Sequence, residues 1–124
     1  MAVIDVDVTN WEHEVLASDK IAIVEFWHQR CPWCQQTIPI YDALSKQYTK
    51  RMKFTRLNVL SDRENREFAM NQGVRGTPTF MFFCEGQPVG TKVGFQSREQ
   101  LMQSIEEILK EHQKCLAKST KLPN

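Results

Sequence analysis

Cys31 and Cys34 stand three residues apart and enclose Pro32 and Trp33, a spacing that brings two sulfurs within reach of each other. An apolar run, Ile21 to Trp27, precedes them, and a helical pattern opens at Pro32. A cysteine at a helix N-terminus faces unpaired backbone N–H groups and the positive end of the macrodipole, which stabilise a thiolate. The thiolate is the nucleophile, so a lowered thiol pKa gives reactivity at neutral pH. Pro32 suits the first helical position because its φ is already helical and its missing N–H costs nothing there. The three-residue step returns Cys34 to the side of Cys31, where a small disulfide ring can close, and Arg30 adds a positive charge beside the pair. Such a pair inside a strand–helix–strand pattern, in a chain without an export signal, reads as a redox motif.

The elements that must hold the pair follow from hydrophobic periodicity. Ile4, Val6 and Val8 alternate with Asp5 and Asp7 as a half-buried strand, and Thr9 with Glu12 has capping-box spacing for a short helix to about Ala17. Ile21 to Trp27 reads as a strand covered on both faces. From Pro32 to about Lys50, Ile38, Tyr41, Leu44 and Tyr48 mark one buried helical face, and Pro39 should kink that helix. Met52 to Val59 is a further strand; Ser61 and Glu64 cap a helix ending near Gly73. Thr79 to Phe83 is a very apolar strand, Glu85 to Pro88 a turn, and Val89 to Val93 the last strand. Ser97 and Gln100 cap a final helix with the stripe Leu101, Ile105, Ile108 and Leu109. This order predicts an α/β domain with a mixed five-stranded sheet, an antiparallel hairpin at one edge, helices on both faces and an extended C-terminal helix. A single domain is expected over 1–117, with a frayed tail at 118–124.

The chain has 124 residues, with 16 basic against 15 acidic side chains and a net charge of +1. That balance argues against a nucleic-acid or membrane-surface protein, and the apolar runs fall far short of the ~20 residues of a transmembrane helix. Met1 to Asn10 lacks the basic start, apolar stretch and cleavage signal of a secretory peptide, so a cytoplasmic address is expected. In a reducing compartment the four cysteines should be catalytic or metal-binding rather than structural disulfides.

Around the cysteine motif the sequence resembles the thioredoxin family. Val24-Glu25-Phe26-Trp27 precedes the motif with the family's spacing, and Pro39 lies where the family kinks its second helix. Arg75-Gly76-Thr77-Pro78-Thr79 is similar to the family's cis-proline loop, and Thr91-Lys92-Val93-Gly94 to its last strand and following glycine. The likeness spans roughly residues 3 to 109. It implies the thioredoxin fold and thiol–disulfide exchange with protein substrates. Cys31 would be the attacking thiolate, Cys34 the resolving thiol, and Cys31–Cys34 the redox-active disulfide. Glu25 would stand for the family's buried carboxylate, with a raised pKa suited to proton transfer. Trp27, Pro32, Trp33, Gly76, Thr77, Pro78 and Gly94 would form the substrate-docking surface. The implied partners are disulfide-containing proteins and a recycling reductase or thiol pool; no metal or organic cofactor is needed, and a monomer is expected.

Four departures from the family pattern stand out: Arg30 replaces Trp, Pro32-Trp33 replaces Gly-Pro, Glu25 replaces Asp, and Arg56 replaces Lys. Potentials of motifs of this kind run from about −270 to about −120 mV, a span of roughly 7 kcal/mol, so the motif leaves the direction of electron flow open. Glu25 also reads as a structural acid paired with Arg56. His28 reads as a packed, hydrogen-bonded side chain, and His13 and His112 as solvated. Cys84 and Cys115 read as spare thiols, Cys84 facing solvent at its strand end. A zinc site from all four cysteines does not suit their spacing. Two other classes stay open: a binding module that uses Trp27, Trp33 and Pro78 without redox turnover, and a metal or cluster protein.

Overall fold

Alternation along the strands sorts the apolar residues onto two faces of one sheet, and helices cover both. A computed structural model describes residues 2–116; the tail expected at 118–124 lies outside them. Five strands, β1 (Val3–Val6), β2 (Ile21–Trp27), β3 (Met52–Asn58), β4 (Thr79–Cys84) and β5 (Gln87–Val93), form a sheet in the order β1-β3-β2-β4-β5. β1 and β2 run parallel to β3, while β4 is antiparallel to both β2 and β5. The helices are α1 (Pro32–Gln47), α2 (Arg63–Asn71), α3 (Arg98–Glu111) and α4 (Gln113–Leu116), with a π-helical segment at Glu12–Leu16.

Ile21 and Ile23 of β2, Phe54 of β3 and Phe80 and Phe82 of β4 pack against Tyr41 and Leu44 of α1 and Leu101 and Ile105 of α3. On the opposite face Val24, Phe26, Leu57 and Met81 meet Trp11 and Val15 of the π-helical segment and Ala69 of α2. The buried stripe of α1 runs Cys34, Thr37, Tyr41, Leu44 and Tyr48. Ile38, expected on it, is only half-buried and lies off that stripe. α1 continues through Pro39, which lies on its exposed side.

Local hydrogen bonds move several expected boundaries. Asp7 Oδ1 accepts the N–H groups of Thr9 and Asn10, so β1 stops at Val6 instead of continuing to Val8. With Asp7 taking these contacts, no Thr9–Glu12 capping box forms and the next segment starts at Trp11 without a side-chain cap. α2 is capped by Asp62, which accepts from Asn65 N–H at 2.7 Å, rather than by Ser61. The Ser97–Gln100 capping box on α3 forms in both directions. The hairpin turn is only Glu85 and Gly86, both with positive φ (53° and 80°), the geometry of a tight two-residue turn. Gln87 and Pro88 already belong to β5, an edge strand where a proline is tolerated. The C-terminal helix does not run on unbroken: His112 (φ −125°, ψ 49°) separates α3 from the four-residue α4.

Candidate active site

The start of α1 is built as the sequence pattern suggests. Cys31 is the N-cap with extended backbone, Pro32 takes the first helical position, and the Cys34 N–H donates to Cys31 Sγ at 3.1 Å. A donor aimed at the sulfur stabilises negative charge there. Cys31 and Cys34 form a disulfide with Cα atoms 5.1 Å apart. Cys34 is fully buried, whereas Cys31 keeps 6% of its surface and lies toward the outside.

Three segments converge on the pair. The Thr77–Pro78 peptide bond is cis, and the Thr77 carbonyl oxygen lies 3.4 Å from Cys31 Sγ. The Gly94 N–H donates to the Pro78 carbonyl at 2.8 Å, which joins the end of β5 to this loop. Trp33 is 58% exposed, and its ring packs 5.7 Å from that of Phe95. Beside the loop, Gly76 and Thr77 continue into a groove of about 220 Å³ lined also by His28, Leu60, Met70 and Arg75. Trp27 points elsewhere: its half-buried ring lies under the Arg56 guanidinium, 5.9 Å away, and lines a groove with Asp5, Asn58 and Asp62. His28 is half-buried, and its Nδ1 accepts the Arg30 N–H at 3.2 Å.

Glu25 lies on the α1 side of β2, 1% exposed, and burial pushes its carboxyl up to about 7. A hydrogen bond from Thr37 and the charge of Arg56 pull the other way, less strongly. Glu25 is not the hydrogen-bonded partner of Arg56: that guanidinium bonds Asp42 Oδ1 at 2.9 Å. Glu25 Oε1 has no partner among the described residues. Thr37 joins the site without having stood out in the sequence. Its hydroxyl lies 2.7 Å from Glu25 Oε2 and 2.8 Å from the Cys34 carbonyl oxygen, so it ties the carboxyl to the turn that carries Cys34. The signal was present, because Thr37 follows Cys34 by three residues on the buried stripe.

The expectation for Cys84 and Cys115 is corrected. Neither is a spare thiol, and Cys84 does not face solvent. They are 3% and 2% exposed and joined by a disulfide. β4 extends one residue beyond Phe83, so alternation puts Cys84 on the inward face with Phe80 and Phe82. No helix among the described residues is long and apolar enough to cross a membrane.

A dithiol–disulfide pair at a helix start, faced by a cis-proline loop on a mixed sheet of this order, defines a thiol–disulfide oxidoreductase. Comparison with known proteins agrees: the thioredoxin family model matches residues 2–107. The chain is 36% identical to a thioredoxin of Rickettsia typhi over 96 residues, covering 77% of this chain and 89% of that one. It is 33% identical to a thioredoxin of Pseudomonas aeruginosa, covering 80% and 89%, and 34% identical to thioredoxin 1 of a Nostoc species, covering 82% and 92%. The chain belongs to the thioredoxin family, and its reaction is disulfide exchange with disulfide-containing substrates.

Proposed function

We propose that Cys31 is the attacking thiolate of this exchange and Cys34 the resolving thiol. The observation that carries the assignment is the N-cap geometry: Cys31 Sγ receives the Cys34 N–H at the start of α1, while Cys34 is sealed beneath it. The Cys31 thiolate attacks one sulfur of a substrate disulfide and expels the other as a thiolate. Cys34, deprotonated, then attacks the Cys31 sulfur, expels the second substrate thiolate and leaves Cys31–Cys34 oxidised. Glu25, near half-ionised at neutral pH, serves as acceptor of the Cys34 proton, and Thr37 holds its carboxyl against that turn.

Pro32, Trp33, Gly76, Thr77, Pro78 and Gly94 form the docking surface for an extended substrate segment; Trp27 supports it from the Arg56 side. The unit that works is one domain over 1–117, acting as a monomer in the cytoplasm and serving cell redox homeostasis and electron transport. A reductase or a thiol pool restores its dithiol, and neither metal nor organic cofactor takes part.

The test is the reduction potential of Cys31–Cys34, read by tryptophan fluorescence in defined thiol buffers. A midpoint near or below about −250 mV assigns a reductant, and one above about −200 mV an isomerase-like or oxidant role with Pro32-Trp33 as its first suspect. Absence of a reversible transition, with the fold intact, would reject the redox assignment of the pair.

A further inference from the structure

A second sulfur pair lies outside that reaction. Cys84 ends β4 and Cys115 sits in α4, both in the core cluster formed by α1, α3 and the sheet. Their Cα atoms are 6.0 Å apart, within the span that a disulfide bridges without backbone movement. The bond closes a ring across 31 positions that contains β5 and α3. Cys84 stands at the opposite end of β4 from the cis-proline loop, about 17 Å along the strand at its usual rise. The active pair of the same molecule therefore does not reach it.

The two halves of this ring are not equally held. α3 is 14 residues long, capped and packed along a full apolar stripe. α4 has four residues, follows the break at His112, and exposes Gln113 and Lys114. A helix that short does not hold itself together. Besides Cys115 itself, α4 is tied to the hairpin by an ion pair, Lys114 Nζ to Glu85 Oε1 at 3.4 Å, between two well-exposed side chains. Such a pair is weak.

We propose that Cys84 and Cys115 are a second redox site, a reversible latch that fastens α4 to the sheet when disulfides accumulate. In the dithiol form α4 opens and presents Cys115. Its thiolate attacks a protein or small-molecule disulfide, such as the oxidised Cys31–Cys34 pair of another copy, and one sulfur of that disulfide leaves as a thiolate. When α4 closes, the Cys84 thiolate attacks the Cys115 sulfur and expels the second thiolate. Two thiols lose two electrons and two protons; the attacked disulfide takes up both electrons and becomes a dithiol. A dithiol reductant reverses both steps. Glu85 and the two sulfurs lie within 4.8 Å of one another, but three ligands fall short of the four of a structural zinc site.

The test uses the full chain, equilibrated in mixtures of reduced and oxidised dithiothreitol, acid-quenched, alkylated and mapped by mass spectrometry. Cys84 and Cys115 should gain and lose alkylation together, in a transition slower than that of Cys31 and Cys34 because it waits on the opening of α4. Trypsin cleavage after Lys110 should release the C-terminal peptide from the reduced chain and leave it attached in the oxidised one. The Cys31→Ser, Cys34→Ser double variant should keep this transition, so its loss and a failure of the active pair are told apart. Cys115→Ser, or Cys84→Ala if the first does not fold, should leave the remaining cysteine alkylatable at every ratio and exchange at Cys31–Cys34 unchanged. The proposal is overturned if the pair stays bonded at every ratio, if both cysteines stay alkylatable at every ratio, or if added zinc is retained one per reduced chain and blocks alkylation.

Discussion

Cys31 and Cys84 differ by only three points of exposure, 6% against 3%, yet the fold treats their sulfurs differently. Cys31 caps a 16-residue helix, receives a backbone N–H and faces the Thr77 carbonyl at the molecular surface. Cys84 ends a fully buried strand among aromatic side chains and caps no helix. Burial therefore does not decide reactivity; the backbone dipoles around the sulfur do. Ring size separates the pairs as well. A three-residue step removes little freedom from the unfolded chain, whereas a span of 31 removes much more. The short ring is suited to opening and closing in turnover at little cost in stability, and opening the long one frees a whole stretch of chain.

The sharpest way to break this comparison is to exchange the roles by mutation. Cys31→Ser should reduce disulfide exchange to background, and Cys34→Ser should accumulate mixed disulfides visible on non-reducing gels. Cys115→Ser should leave turnover within about twofold of the parent, as expected for a site remote from the reacting atoms. Equal losses from Cys31→Ser and Cys115→Ser would erase the distinction between the two pairs.

Stability should rank the pairs in the reverse order. Opening Cys84–Cys115 should cost about 3–4 kcal/mol in the chain-entropy account of a ring this long, against about 2 kcal/mol for the short ring. Urea denaturation of the parent and of Cys84→Ala, each with Cys31–Cys34 oxidised, measures the cost of opening the long ring. A difference under about 1 kcal/mol would mean that α4 does not hold the last third of the fold.

Much of this was legible in the sequence. Every strand was: apolar alternation or apolar runs mark β1 to β4, the turn signal at Glu85 to Pro88 points to β5, and the cap at Ser97 and the start of α1 at Pro32 were legible too. The boundaries at Val6 and Asp62 were not, since they depend on which of several neighbouring Asp, Ser and Thr side chains wins the local backbone donors. The second disulfide escaped for a related reason. Cys84 continues the alternation of Phe80 and Phe82, and Cys115 lies seven residues after Ile108 on the buried stripe of α3. Both signals were present, but an assumed reducing address outweighed them. The spacing of Thr37 from Cys34 was legible, but its bond to Glu25 and the Trp33–Phe95 contact required tertiary pairing that no local pattern carries.

Glu25 offers the next largest effect. Its carboxyl is raised from 4.5 to about 7 by burial, so between those values the folded chain holds a proton that the unfolded chain has released. Stability is then fully present below pH 4.5 and is lost as pH rises through 7. Glu25→Gln should remove that loss, gaining about 3 kcal/mol over the parent at pH 8 and little at pH 4. The same variant should slow turnover at neutral pH by roughly a hundredfold if Glu25 takes the Cys34 proton. A stability gain without a slower reaction would leave Glu25 a structural acid.

Thr37 gives the smallest change and the finest test of how the carboxyl is coupled to the dithiol. Its hydroxyl holds down the pKa of Glu25, so Thr37→Val should move that titration above 7. At pH 5, where the folded-state carboxyl is mostly protonated in both proteins, the variant should lose only the ordinary worth of a hydrogen bond, about 1 kcal/mol. At pH 9 the loss should be larger, because the pH-dependent decline in the variant continues beyond the point where the parent's has ended. Denaturant midpoints at the two pH values measure this difference directly. An equal loss at both would mean that Thr37 packs against Cys34 without governing Glu25, and the path from the carboxyl to the resolving cysteine would have to run through other atoms.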